Sequence, residues 1–259
     1  SPASILDQAW HLDHEQFTQE LRLSGIVGDL LDWTLGAYYY DASGTSGGRV
    51  TISGGLAPGG GGLNLDILFR DPVETTSKSV FAHAILHPLP GLNLTAALRY
   101  TDDRKAFTFN RFDLDGGPHP VLGSLTDFTG VFEGDRLDYR FALDYQWSPD
   151  LLTYVQIATG YKGGGVNPRP FINTQVVPYE PEELISYEAG FKSTFGAGRV
   201  TFNGAAFYGD YTNFQGTLSR CDSLSPFPGF PCTQSTNVGD ARIQGVELEL
   251  FAEPVDGFT

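Results

Sequence analysis

Only a few side chains in this sequence combine the residue types and the spacing that chemistry requires. His11, Asp13 and His14 could contribute ligands to a metal ion, and His83 and His87 would lie on one face of a strand. Adjacent polar residues before a strand, such as the first group, are usually solvated, and the second group has no third ligand nearby. We therefore interpret these side chains as solvated or strand-lining residues, and we expect neither a bound metal nor a cofactor.

Two acidic residues near the C-terminal end offer the best case for catalysis. Glu247 and Glu249 alternate with apolar residues, so both carboxylates would lie on one face of a strand. Paired carboxylates hydrolyse glycosidic bonds in many enzymes, which keeps a soluble all-β carbohydrate-active protein as an alternative. Acidic residues lining a polar face explain the pair more simply. The glycine-rich run at 57–62 lacks the Lys-Ser/Thr of a phosphate loop. We expect the protein not to be an enzyme.

The chain has two cysteines, Cys221 and Cys232, which flank a loop rich in proline and phenylalanine. They are either unrelated thiols or a disulfide, and we favour the disulfide, which implies an oxidising compartment. Closing so short a loop would stabilise the fold by about 3 kcal/mol in the chain-entropy model. Within this loop, residues 227–230 could contact a ligand or pack against neighbouring loops.

The overall composition argues against two classes of protein. The net charge of −15 argues against a nucleic-acid partner, which would require a basic surface. No run of 18 apolar residues predicts a membrane-spanning helix, although the alternating strands of a membrane β-barrel would not give such a signal. The sequence starts at Ser1 and contains no Met, so we expect residues 1–259 to be one partial domain of a longer protein.

The clearest structural pattern lies in residues 135–161. Alternate residues from 137 to 147 are apolar and uncharged, whereas most of the residues between them are polar. Because successive side chains of a strand point to opposite faces, this pattern predicts one long strand with an apolar and a polar face. Residues 148–150, Ser-Pro-Asp, have the composition of a tight turn, and a second alternating strand follows. Similar strands recur along the chain.

The connections between the predicted strands alternate between short and long. An up-and-down antiparallel sheet places its short turns at one end and its long loops at the other, as transmembrane β-barrels of the outer membrane do. Strands of about ten residues fit a tilted membrane span, whereas strands of soluble proteins average about 5–6 residues. We expect an all-β, up-and-down antiparallel transmembrane β-barrel, of which about nine to ten strands are present. Residues 42–75 and 102–134 would include two of the long loops.

The distribution of charge distinguishes a lipid face from a lumen face. A Lys or Arg that faces lipid at mid-membrane costs about 2–4 kcal/mol, and the apolar rows within 92–100 and 137–147 carry no charge. Charged side chains occupy the opposite rows, which we expect to face the lumen. The predicted lumen-facing residues are Arg99, Asp138, Arg140, Asp144, Glu188, Glu247 and Glu249.

Six stretches of the sequence form a recognisable series. They are QFTQELRL at 16–23, LDWTLGAY at 31–38, RYTDDRKAF at 99–107, TGYKGGG at 159–165, PEELISYEAGFK at 181–192 and NVGDARIQGVEL at 237–248. In this order they resemble TonB-dependent outer-membrane receptors. The resemblance implies a barrel of about 22 strands in the outer membrane of a Gram-negative bacterium, closed by an N-terminal plug domain. The plug and the C-terminal strands would lie outside this chain.

The resemblance also implies a function and a set of partners. Such receptors import scarce ligands, such as iron–siderophore complexes, cobalamin or oligosaccharides, with energy from the TonB complex. The expected partners are outer-membrane lipid, the TonB complex through the missing N-terminal part, and a small-molecule ligand such as a siderophore. A passive porin-like channel is the alternative within the membrane class. By family analogy, residues at the strand mouths would contact the ligand: Tyr161, Lys162, Asn167, Arg169, Tyr211, Asn213 and Phe214.

Overall fold

The computed structural model describes residues 6–52, 65–120, 122–219, 224 and 232–253. Nine long strands dominate it: β1 (Leu6–Val27), β2 (Leu31–Ile52), β3 (Leu65–Leu89), β4 (Leu92–Phe109), β6 (Phe128–Ser148), β7 (Leu151–Lys162), β10 (Glu182–Phe195), β11 (Val200–Thr212) and β14 (Ala241–Ala252). Five short strands lie between them: β5 (Arg111–Phe112), β8 (Gly165–Val166), β9 (Pro178–Tyr179), β12 (Gln215–Leu218) and β13 (Gln234–Asn237). In this part of the chain, no helix is long and apolar enough to cross a membrane.

The long strands form one antiparallel sheet in the order β1-β2-β3-β4-β6-β7-β10-β11-β14. Each long strand pairs with the next long strand along the chain, so the topology is up-and-down. Connections of two to four residues join the strands at one end, at 28–30, 90–91, 149–150 and 196–199, and the longer connections lie at the other end. The predicted fold class is therefore confirmed, including the expected number of strands. We call the end with the long connections the outer end.

Glycine allows two of the short turns to close. Gly91 has a φ of +82°, and a Cβ at this position would lie 2.7 Å from the backbone oxygen of Gln146. Gly198 has a φ of +88° in the turn between β10 and β11. A residue with a side chain would be strained in this left-handed region, whereas glycine adopts it freely. These turns set the register of the strands that they join.

The strands expose one apolar face and one polar face. On β6, Leu137, Phe141 and Leu143 have exposed fractions of 57%, 47% and 43% in the isolated chain. The register continues this surface onto β4, where Leu94 lies opposite Leu143. Towards the short-turn end, the rings of Tyr145 and Trp147 meet edge to face, 4.6 Å apart. An uncharged surface with aromatic residues near its margin is typical of the lipid-facing side of a membrane barrel.

The strands extend further outwards than the sequence predicted. Residues 42–52 and 65–75 belong to β2 and β3, whereas we expected a long loop there. Residues 102–109, which we expected to form a charged extension before a Gly/Pro loop, continue β4. The prediction for 42–75 was wrong because it took glycine as a loop signal. In β2, a Cβ on Gly48 would lie 2.1 Å from the backbone oxygen of Ala9, so the close approach of β1 requires glycine within a strand. The run at 57–62 lies outside the described residues.

Candidate functional site

The connection between β7 and β10 folds back across the polar face of the sheet. A Cβ on Gly130 of β6 would lie 2.7 Å from both Val166 and Val176 of this connection. Gly130 and Asp138 lie eight positions apart in one unbroken strand, so they share a face. Val166 also belongs to a buried cluster with Phe109 and Phe132. We call residues 163–177 the shelf, and it lies on the face that carries the predicted lumen residues.

The far side of the shelf reaches two further strands. Phe171 and Ile172 pack against a second buried cluster, formed by Ile67 of β3 and Leu122, to which Val50 of β2 also contributes. Ile67 lies opposite Val50 and on the same face as Phe81, the cross-strand partner of Arg99. The shelf therefore crosses β6, β4, β3 and β2 at their outer ends. It narrows the mouth of this sector of the barrel.

A buried arginine below the shelf connects it to the wall. Arg111 donates from Nη1 to Oδ1 of Asp71 at 2.7 Å and from Nη2 to the backbone oxygen of Pro170 at 2.9 Å. The side chains of Arg111 and Asp71 are only 8% and 12% exposed. The guanidinium also lies 5.9 Å from the ring centroids of Phe69 and Phe109. Charge-assisted hydrogen bonds of this kind are stronger than neutral ones, so Arg111 ties the shelf to β3.

Two amide side chains fill the interior of the shelf. Asn167 is 1% exposed and Gln175 is fully buried. Asn167 donates from Nδ2 to the backbone oxygen of Gln175 at 2.9 Å, and its Oδ1 accepts from the backbone N–H of Ser235 at 3.3 Å. Gln175 accepts from the N–H of Phe171 at 2.7 Å. Asn167 makes these bonds within and beside the shelf, and the ligand contact that we expected of it stays a prediction.

Arg169 occupies the opposite side of the shelf. The shelf packs onto the sheet through Val166, Phe171 and Ile172, whereas Arg169 is exposed. It makes no ion pair with any residue that the structure describes. Its guanidinium donates to no residue in the described part of the chain, and a guanidinium suits carboxylate or other anionic groups on a ligand.

A polar cluster lies beside the shelf, where β6 and β7 diverge. The backbone pairing of β6 with β7 extends outwards only as far as Arg140 and Ala158. Beyond it, side chains make the contacts: the N–H of Tyr139 donates to Oγ1 of Thr159 at 2.9 Å, and this hydroxyl donates to Oδ1 of Asp138 at 3.0 Å. The N–H of Tyr139 thus has a side-chain hydroxyl as its acceptor instead of a backbone carbonyl of β7. Beyond this point, side chains lie in the gap between β6 and β7.

Tyr161 and Arg136 lie in this region, where the backbones of β6 and β7 are not paired. Tyr161 donates its hydroxyl proton to Oδ2 of Asp103 on β4 at 2.5 Å, so its ring crosses β6. The guanidinium of Arg136 lies 5.7 Å from the ring centroid of Tyr161. Arg136 forms ion pairs with Asp138, at 3.0 Å, and with Glu183 of β10. An aromatic ring and several charges thus meet at the mouth, next to the shelf.

A hydrogen-bonded junction joins the shelf to the connection after β11. The side-chain amide of Gln215 donates to the backbone oxygens of Lys162 and Gly163 at 3.3 and 3.2 Å. Asn237 donates to the backbone oxygens of Glu180 and Asn213 at 2.9 and 2.8 Å. The junction brings the outer end of β7 close to the segment after β11.

The other predicted ligand residues lie around this junction. Tyr211 and Phe214 form an edge-to-face ring pair with centroids 6.1 Å apart. Lys162, Asn213 and Phe214 are exposed. Asn213 has a φ of +56°, and its N–H donates to Asp240 at 3.2 Å. The structure thus places Tyr161, Lys162, Arg169, Tyr211, Asn213 and Phe214 at the outer end, and their contact with a ligand stays a prediction.

The strand register puts all seven predicted lumen residues on one face. Arg99 lies directly opposite Asp138, and Arg140 and Asp144 follow on the same row of β6. Tyr154, opposite Asp144, donates to Glu188 at 2.6 Å. Register across β10 and β11 then places Glu247 and Glu249 on this face, where Asn203 donates to Glu249 at 2.9 Å. Arg99 also lies over the rings of Tyr38 and Phe81, at 5.6 and 5.8 Å.

The remaining candidates from the sequence are the residues considered as metal ligands. Nδ1 of His87 lies 2.7 Å from Oδ1 of Asn93, and its Nε2 lies 3.2 Å from Oδ2 of Asp32. Among the described residues, no group of three or more His, Cys, Asp or Glu side chains is arranged to hold a metal ion. We expected His11, Asp13 and His14 to lie before a strand. They lie within β1 instead.

The cysteine pair is only partly described. Cys232 is 7% exposed and disulfide-bonded. Cys221 and the segment 227–230 lie outside the described residues. A disulfide between Cys221 and Cys232, and a role for residues 227–230 in binding, therefore stay predictions.

Sequence reasoning missed several residues of this site. Arg136 could have been found, because it lies two residues before Asp138 on the charged row of the same strand. Arg111 and Asp71 gave no signal, since they are 40 residues apart and only the fold brings them together. The same holds for Gln215 and Asn237, which act on backbone groups of other loops.

Comparison with known proteins connects this geometry to a family. A family model described as TonB dependent receptor-like, beta-barrel, matches residues 4–259. The pesticin receptor of Yersinia pestis is 26% identical over 180 residues, which are 68% of this chain and 24% of that protein. The pesticin receptor of Yersinia enterocolitica is 27% identical over 177 residues, with the same coverage. The chain thus spans about a quarter of the length of these curated relatives.

Solved structures with the same fold include two receptors. The ferric yersiniabactin uptake receptor FyuA from Yersinia pestis superposes with a TM-score of 0.76 at 20% identity, over 99% of this chain and 35% of that one. The siderophore receptor PiuA from Acinetobacter baumannii has a TM-score of 0.68 at 20% identity, over 95% of this chain and 37% of that one. At this identity the likeness shows a shared fold.

Proposed function

Since the chain belongs to the family of TonB-dependent receptors, as part of the β-barrel domain, we propose that it works within a longer receptor that imports a ferric siderophore. The chain lies in the outer membrane of a Gram-negative bacterium, and its family comprises transport receptors rather than enzymes. The longer receptor would add a plug domain, the remaining barrel strands and a segment that engages the TonB complex. The nine long strands of the described residues leave two open edges and could not close a barrel in lipid by themselves.

The observation that carries the proposal is the exposed Arg169 in the shelf, which belongs to a connection at the outer end. A ferric complex of a carboxylate-bearing siderophore presents anionic oxygens, which a guanidinium binds through charge-assisted hydrogen bonds. Tyr161, Tyr211 and Phe214 add aromatic surface nearby for the apolar part of such a ligand. The names of the relatives that share this fold, as receptors for ferric yersiniabactin or siderophores, support the same class of ligand.

Ligand binding by the complete receptor tests the proposal. The purified protein in detergent would be titrated with ferric yersiniabactin and with iron-free yersiniabactin, and binding measured by calorimetry. We expect binding of the ferric complex and about a tenfold or greater loss of affinity in Arg169→Gln, since a hydrogen bond to a charged group contributes about 1.5–3 kcal/mol. Arg22→Gln is the matched control, because Arg22 is an exposed arginine of β1 outside the shelf. Equal affinities of the two variants would refute a role for Arg169.

A second candidate ligand follows from the names of the curated relatives, which are pesticin receptors. Cells that produce the complete receptor would be exposed to pesticin, beside cells that lack it. Killing that requires the receptor would support this candidate. Equal survival of both strains would exclude it and leave the siderophore proposal standing.

A further inference from the structure

We propose that the shelf, residues 163–177, is a fixed part of the barrel mouth and does not move when ligand binds, with Arg111 and Asn167 as its positioning residues. The inference rests on the proposed function only for the choice of ligand. The contacts that would hold the shelf in place are made by groups of the chain itself. Ligand-dependent movement would then be confined to other segments of the receptor.

The first argument is the buried ion pair beneath the shelf. Arg111 bonds to Asp71 on the wall and to the backbone oxygen of Pro170 on the shelf. Lifting the shelf would break the bond to Pro170 and bring water to a guanidinium that now lies between Phe69 and Phe109. This hydrogen bond has a charged donor and is therefore stronger than a neutral one, so its loss opposes lifting. The shelf therefore has one strongly preferred position on the wall.

The second argument is that the two ends of the shelf and its middle make separate apolar contacts. Val166 and Val176 pack over Gly130, and Phe171 and Ile172 pack on the cluster around Ile67. These contacts lie on different strands, β6 and β3, so a hinge at either end of the shelf would disrupt at least one of them. Close-packed contacts of this kind deform little, so the shelf cannot move gradually while it keeps them.

The third argument is the internal bonding of the shelf. The buried amides of Asn167 and Gln175 bond to backbone groups of the shelf and to Ser235 of β13. Ser124 of the preceding outer connection accepts from the N–H of Asn173 at 3.4 Å. Three outer connections thus share polar contacts that would all have to be remade if the shelf moved alone.

Distance measurements between spin labels test the proposal. One label would be placed on the shelf at Asn173→Cys and one on the outer end of β6 at Val131→Cys, because both residues are exposed and neither side chain forms a hydrogen bond with a described residue. The complete receptor in detergent would be measured free and with saturating ferric yersiniabactin. Arg111→Met and Asn167→Ala would be introduced into the same labelled protein, and heat-dependent gel mobility would show that each variant has folded.

We expect one narrow distance distribution in the free receptor and the same distribution with ligand. Either positioning variant should broaden it, and Asn167→Ala keeps the test decisive if Arg111→Met does not fold. A ligand-dependent shift, or two populations in the free receptor, would overturn the proposal, and so would an unchanged distribution in both variants. If ferric yersiniabactin does not bind, the proposed ligand fails, whereas the free-receptor and variant measurements still decide whether the shelf is fixed.

Discussion

Replacing Arg111 by methionine should release the shelf from the wall. The substitution keeps most of the side-chain volume but leaves the carboxylate of Asp71, 12% exposed, without its cation, and the backbone oxygen of Pro170 without its donor. Breaking a buried ion pair by removing one partner costs about 3–5 kcal/mol. Local opening of the shelf should therefore become at least about 100-fold more frequent, since each 1.4 kcal/mol is a factor of about ten.

Amide hydrogen exchange in the complete receptor would measure this change. The N–H of Asn167 bonds to Val177 and that of Gln175 bonds to Ile172, both at 3.0 Å, so both amides should lose protection. The matched control is Arg49→Met, which breaks the pair with Asp66 on the neighbouring strands, where the side chains are 49% and 32% exposed. Exposed pairs contribute about 0–1 kcal/mol, so the control should change shelf exchange about fivefold or less.

The pH dependence of amide exchange in Arg111→Met tests whether the unpaired carboxylate of Asp71 causes the change. Asp71 lies outward of the lipid-facing band, and burial raises its pKa, while Arg111 opposes the rise. Without Arg111 the pKa of Asp71 should rise further. The destabilisation caused by its unpaired carboxylate is present above this folded-state pKa, and it is relieved as the pH falls and Asp71 takes up a proton. Equal exchange in Arg111→Met and Arg49→Met, or a defect in Arg111→Met that does not change with pH, would refute the reasoning.

Three further predictions concern the wall and the outer connections. Leu143→Arg, on the lipid face of β6, should lower the stability of the receptor in lipid vesicles by about 2–4 kcal/mol. Ala142→Arg, on the opposite face, should be tolerated. Urea titration would measure both stabilities, and equal losses would contradict the assignment of faces. Burial lowers the pKa of His119, whose Nδ1 accepts from the N–H of Leu122 at 3.1 Å. Because the neutral form is favoured in the folded state, this stabilisation is complete above a pH of about 6.5 and is lost as the pH falls below it. Exchange of the Leu122 amide, corrected for intrinsic rates, should rise on acidification in the wild type but not in His119→Gln, and parallel profiles would argue against this. Tyr161→Phe removes the donor to Asp103 and should destabilise the receptor by about 1.5–3 kcal/mol. Tyr187→Phe, whose hydroxyl bonds to no described residue, should have almost no effect in the same unfolding assay, and similar losses would show that the bond contributes little.

The architecture of the sheet could be predicted from the sequence because a membrane span imposes period-two patterning. The row from Leu137 to Trp147 has a strict alternation, and the Ser148-Pro149-Asp150 turn marks its end. The outer strand extensions escaped prediction because they rise beyond the apolar band, where glycine and charge are both allowed. Gly44 and Asp102 lie in paired strands, yet they carry no strand signal of their own.

The candidate site was predictable only in its position at the outer end. Arg169 was identified by family analogy and is exposed, whereas Asn167, two residues earlier, is buried. Local sequence does not distinguish these two environments, because a partner that Asn167 bonds in the fold, Ser235, is 68 positions away in sequence. The anchoring role of Arg111 likewise depends on Asp71 and Pro170, at sequence distances of 40 and 59 residues.

Energy-dependent uptake is the most direct test of the central claim. A Gram-negative strain without other receptors for the ligand would produce the complete protein, with and without a functional TonB complex, and uptake of iron-55 from ferric yersiniabactin would be measured at low external concentration. The proposed function predicts uptake that requires both the receptor and the TonB complex and that falls in Arg169→Gln. Receptor-dependent uptake of the same rate without the TonB complex would contradict it and indicate a passive channel.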